Sequence, residues 1–148
     1  MAGESYRQTQ RPWWFVAIFG ALIVVGGTTV GTAEAGLVIG SVVAVAVVLL
    51  TLFWGLTVVV ADGELRLAFG LGLIHRRIPV ARIAAVAKVR NAWWYGFGIR
   101  LTPGGWMWNM SGLDAVELAY KDGKCFRVGT ADPDGLLRAL EAAMAEGR

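Results

Sequence analysis

The chain has 148 residues, of which 56% are hydrophobic, and a formal net charge of +3; its mean hydropathy is +0.56. One cysteine, Cys125, excludes an intramolecular disulfide framework and a cysteine-based zinc site, and one histidine, His75, excludes a histidine cluster for a metal. Residues 12–61 hold a single charged residue, Glu34, which is unlike the interleaved polar and apolar residues of an ordinary globular core.

Taken in chain order, residues 1–12 form a tail carrying Arg7 and Arg11. Residues 13–30, WWFVAIFGALIVVGGTTV, are uncharged, and roughly 20 residues at about 1.5 Å each cross a bilayer core. Trp13 and Trp14 stand where an interfacial aromatic belt would stand. A second apolar segment follows from Gly36, spanning about 36–58, and its β-branched end, Thr57–Ala61, suits a strand. The expectation is a transmembrane helical hairpin over 13–61, closed by the short linker 31–35. The second apolar segment argues against a cleaved signal peptide. Gly36, Gly40 and Ala44 are small residues four apart, a spacing that lets helix backbones approach closely, and they are the expected packing positions. Basic residues lie before and after the hairpin but not in its linker. The expected placement is therefore multi-pass in the inner membrane, with both termini cytoplasmic.

Beyond Asp62 the period changes to two. Leu65, Leu67 and Phe69 alternate with Arg66 and Ala68, and Asp62-Gly63 is a hairpin-turn signal. Further strands are expected over Leu71–Pro79, Ile83–Arg90, around Arg100, over 106–111, and over 116–121. Asp122-Gly123 is the clearest two-residue turn, and Phe126 and Val128 continue beyond it. Asp132, Pro133 and Asp134 start a C-terminal helix as cap, first helical residue and dipole partner. Leu136, Leu137, Leu140 and Met144 form its apolar stripe.

Residues 62–148 thus read as about seven antiparallel strands closed by one helix, a cytoplasmic domain following the tail and hairpin. The segments RRIPVARIAAV (76–86), WWYGFGIR (93–100), GGWMWNMSG (104–112), AVELAYKDGKCFRVGT (115–130) and DPDGLLRAL (132–140) carry a resemblance. With them, the chain resembles bacterial pleckstrin-homology-like (PH-like) membrane proteins with two N-terminal transmembrane helices. That resemblance implies an α+β membrane protein: a two-helix hairpin, then a PH-like antiparallel barrel or sandwich with a capping helix. It also implies a scaffold for binding or oligomerisation, and it supplies no catalytic residues.

No acid, base or nucleophile is clustered in the sequence. His75 stands beside Arg76 and Arg77, Cys125 falls in a strand, and the glycines at 96, 98, 104 and 105 suit turns rather than a phosphate loop. The expectation is a non-enzymatic protein without cofactor or metal. The charge pattern is more informative. From Leu65 to Leu113 there are seven basic residues and no acidic one, whereas Asp114 onward holds five basic and seven acidic. The candidate contact residues are therefore Arg76, Arg77, Arg82, Lys88, Arg90 and Arg100, with the aromatic run Trp93, Trp94 and Tyr95 between them. Lipid headgroup contact, core packing and an oligomer contact all remain open for that run. Nucleic acid is not an expected partner. The functional expectation is a membrane-anchored module for protein interaction, self-association or anionic-lipid contact at the inner membrane face. Its partners would be the lipid bilayer and a protein or second copy. The alternative is a small accessory subunit of a membrane transporter or enzyme complex, with the hairpin as its partner surface.

Overall fold

The computed structural model describes residues 4–28, 33–110 and 112–147. Strand β1 (Glu4–Gln10) leads into helices α1 (Trp13–Thr28) and α2 (Ala33–Leu52). Eight strands follow: β2 (Leu56–Ala61), β3 (Glu64–Phe69), β4 (Ile74–Pro79), β5 (Ile83–Arg90), β6 (Gly98–Thr102), β7 (Gly105–Asn109), β8 (Asp114–Tyr120) and β9 (Cys125–Gly129). Helix α3 (Pro133–Glu146) ends the described chain.

The strands form two open sheets, ordered β1-β2-β3-β4 and β5-β8-β9-β7-β6. All pairs are antiparallel except β7 with β9, where Trp106, Met107 and Trp108 lie opposite Phe126, Arg127 and Val128. Local chemistry sets the register of the first sheet. Asp62 and Gly63 both take positive φ, 52° and 70°, the backbone of a two-residue turn whose twist matches the flanking strands. Ala61 is thereby set opposite Glu64, and Leu56 opposite Phe69. With a side-chain period of two, Leu56, Val58 and Val60 then face the same way as Leu65, Leu67 and Phe69, and all six are buried. They meet Trp108, Val116, Leu118, Phe126 and Val128 of the second sheet in one core. Phe69, Trp108 and Phe126 form a chain of rings, with centroids 5.2 and 6.2 Å apart.

Helix α3 covers one part of this core with Leu136 and Leu140, while Leu137 and Met144 pack at its border. Its start follows from the expected cap: an Asp132 carboxylate oxygen accepts from the Gly135 N–H at 2.9 Å, and Pro133 occupies the first turn.

Several expectations are corrected. Helix α1 has 16 residues, about 24 Å at 1.5 Å per residue, short of a hydrocarbon core of about 30 Å. Helix α2 has 20, but its uncharged stretch begins at Ala35 and is roughly 27 Å long. Among the described residues no helix is long and apolar enough to cross a membrane. The two transmembrane helices, the multi-pass inner-membrane placement and, with them, the likeness to a PH-like membrane protein with two N-terminal spans that was drawn from segments 76–140 are therefore not supported. The expected linker turn falls largely on 29–32, outside the described residues. Nor is there a closed barrel: β1 and β4 edge one sheet, and β5 and β6 the other. The strand expected to begin at Leu71 begins at Ile74.

The tail holds a further difference. Residues 4–10 form β1, which pairs along β2 from Glu4 opposite Ala61 to Gln10 opposite Leu56. The helical pair is thus inserted between two neighbouring strands, and both of its feet rise from the same end of one ladder. Gly70 fixes the junction. Its φ is +51°, and a Cβ there would collide with the carbonyl oxygens of Thr51 and Leu52. Only glycine allows the β3–β4 turn to sit directly under the end of α2.

Candidate functional site

The basic residues of 65–113 do not share one face. Arg66 is occupied by Asp62 and Glu64, each at 3.1 Å, and the Glu64 hydrogen bond is the main cause raising its pKa. Lys88 holds both carboxylate oxygens of Asp134 at 3.0 Å, tying β5 to the start of α3. Arg90 is exposed at the end of β5. The Arg100 Nε donates to the Phe97 carbonyl at 3.1 Å and so braces its own loop.

Arg76, Arg77 and Arg82 do come together. They line a cavity of about 140 Å³ with Ile78, Tyr120, Asp122 and Lys124. Arg76 lies opposite Leu67 in the β3–β4 ladder, on the core-facing side of β4, and its guanidinium carbon lies 4.5 Å from the Phe126 ring centroid. Arg82, in the helical turn Val80–Arg82, lies 5.8 Å above the Tyr120 ring. The Tyr120 hydroxyl is buried, with no acceptor for its proton. Burial pushes its pKa up, opposed by the charges of Arg76 and Arg82. Sequence reasoning picked out the three arginines but not Tyr120 or Lys124, which lie some 40 residues away. The signal was the Asp122-Gly123 turn, which folds Tyr120 and Lys124 onto one end of the β8–β9 hairpin.

The aromatic run is not on a strand. Trp93, Trp94 and Tyr95 form a single 3₁₀ turn with no buried member, so core packing does not account for them. Trp93 and Trp94 are 76% and 68% exposed and meet edge to face at 5.8 Å. Phe97 beside them touches Trp14 of α1, with ring centroids 5.1 Å apart. Leu71 and Leu73, next to the Gly70 junction, are also exposed, as are Trp13 and Trp54. These residues make an apolar collar around the foot of the helical pair.

Above the collar, α1 and α2 meet through Gly26, where an added Cβ would lie 3.1 Å from Ile39, and through the buried Ala46. The expected packing stripe is elsewhere. Gly40 and Ala44 are exposed, Gly36 is half-buried, and a Cβ on Gly40 would meet nothing within 4 Å. Ile18, Leu22, Val24 and Val25 of α1 and Leu37, Val38, Val42, Val45 and Val48 of α2 are also exposed.

His75 Nδ1 lies 3.1 Å from the Gly72 carbonyl, Cys125 is a half-buried free thiol, and no group of metal-ligating side chains forms among the described residues. The fold defines an α+β protein with two open sheets and an exposed apolar helical pair. No family model, curated protein or solved structure matches the chain.

Proposed function

We propose that the chain is a non-enzymatic interaction module that self-associates through the α1–α2 pair. The supporting observation is that apolar side chains are exposed around both helices except where the two meet. A helix apolar all round is normally a buried one, and an apolar patch this extensive marks an association surface. A second copy fits because it offers the same uncharged surface, and a two-fold arrangement lets one patch complement itself. The outward stripe Gly36, Gly40 and Ala44 allows close approach of another helix.

Light scattering on the full chain, resolved by size, tests this. A discrete oligomer is expected, and Gly40→Arg should shift it toward monomer, because the arginine has room on its own chain but blocks the facing copy. A monomeric wild-type chain would overturn the reading. A mixed complex with another protein would instead favour the accessory-subunit role. The collar supports a second reading, contact with an anionic lipid surface through Trp93 and Trp94. Vesicle binding lost in a Trp93→Ala, Trp94→Ala double variant would favour it.

A further inference from the structure

We propose that the cavity between β4, the turn Val80–Arg82 and the β8–β9 hairpin binds a small oxyanion of the phosphate class. This goes beyond the self-association reading and stands independently of it. The first support is charge. Arg76, Arg82 and Lys124 line the cavity with one carboxylate, Asp122, and Arg77 adds a lining position from the neighbouring register of β4. That carboxylate lies 3.9 Å from the Lys124 Nζ, an exposed pair of little strength. None of the three arginines makes an ion pair among the described residues.

The second support is orientation. The guanidinium carbons of Arg76 and Arg82 lie over the rings of Phe126 and Tyr120, 4.5 and 5.8 Å from their centroids. A cation held over an aromatic ring is restrained in place, and guanidinium N–H donors match phosphate oxygens. A set of merely solvated surface arginines would have no such fixed arrangement.

The third support is the Tyr120 hydroxyl, buried in the wall of the same cavity with no acceptor for its proton. Buried hydroxyls are normally satisfied, and an anion oxygen is an acceptor for it. Size agrees. A cavity of about 140 Å³ corresponds to four or five waters at about 30 Å³ each, well below the usual pocket for an extended organic ligand. The frame is also set in advance. The Lys121 N–H donates to the Arg82 carbonyl at 3.0 Å, and the Gly123 N–H to the Tyr120 carbonyl at 3.0 Å, which joins the turn to the hairpin.

Inorganic phosphate titrated calorimetrically into the full chain, alongside flotation with phosphatidylcholine vesicles with and without phosphatidylglycerol, tests the site. Saturable phosphate binding is expected, weakened about tenfold or more by Arg82→Gln and several-fold by Tyr120→Phe. Arg82 is exposed on its turn, so its variant keeps the fold, which circular dichroism checks; Arg76→Gln removes a contact with the core and is secondary. Binding to phosphatidylglycerol vesicles but not to free phosphate, with the same loss in Arg82→Gln, supports the site and assigns its anion to a lipid headgroup. No binding in either arm, or binding unchanged in a folded Arg82→Gln chain, overturns it.

Discussion

The sheets and the helical pair solve opposite problems with the same kind of residue. In β2, β3, β8 and β9 nearly every Val, Leu and Phe has an inward position, because a period of two assigns alternate side chains to the core. Leu65, Leu118, Phe126 and Val128 are all at or below 1% exposure. In α1 and α2 the apolar residues have no such face, since they occupy every turn of both helices, and one helix can cover only part of the other. The sheets therefore complete their burial within the chain, and the pair does not. Equal hydrophobicity gives stability in the first region and an unfilled association surface in the second.

Substitutions can break that comparison. Leu118→Ala should cost about 2–5 kcal/mol in a chemical denaturation, because it opens a cavity in a packed core. The same loss of aliphatic volume in Leu37→Ala, exposed on α2, should stay within about 0.5 kcal/mol under monomeric conditions. Equal losses would mean that the pair is packed in the isolated chain after all. A middle-sized effect concerns the polar fringe of the core. Burial raises the pKa of Tyr6, assisted by Asp132 and opposed by the Thr130 hydrogen bond, and burial likewise raises that of Tyr120. A raised pKa means that the folded chain holds these protons more tightly than the unfolded one. Their contribution is thus complete below the ordinary value of 10.0 and is lost as pH climbs above it. Unfolding measured across that range should show an alkaline decline that is shallower in Tyr6→Phe and Tyr120→Phe; an identical decline in both variants would refute it. The smallest effect belongs to Lys88→Gln. Its pair with Asp134 is exposed on both sides, so a thermal melt should register less than about 1 kcal/mol.

The legible parts of the fold were those set by neighbours in sequence. Asp62-Gly63 specifies its two-residue turn through backbone conformation, and Asp132-Pro133 specifies the start of α3; Asp122-Gly123 marks its turn, but that turn is longer than two residues and of the pair only Gly123 takes positive φ. Strand β1 was illegible because ESYRQTQ has no apolar alternation. It is a strand by virtue of the open edge of β2, and it is held by distant partners, as when buried Gln10 donates through Nε2 to the Gly129 carbonyl at 2.6 Å. The parallel pairing of β7 with β9 likewise crosses the whole of β8 and has no local signature. Trp93–Tyr95 misled for a related reason: consecutive aromatics favour strands, yet these three bend into a turn at the foot of α1. At the cavity, three arginines close in sequence invited attention, but the aromatic faces that orient two of them come from the far hairpin.

The insertion of the helical pair between β1 and β2 also orders events in time. During synthesis β1 emerges before its partner, which follows only after both helices have been made. A polar strand such as ESYRQTQ tolerates that interval, since it exposes little that would aggregate while it waits. Docking of α1 on α2 brings the two ends of the intervening segment together and removes much of the entropy of closing so long a loop. The apolar pair thus serves as the clasp through which β1 finds its place beside β2.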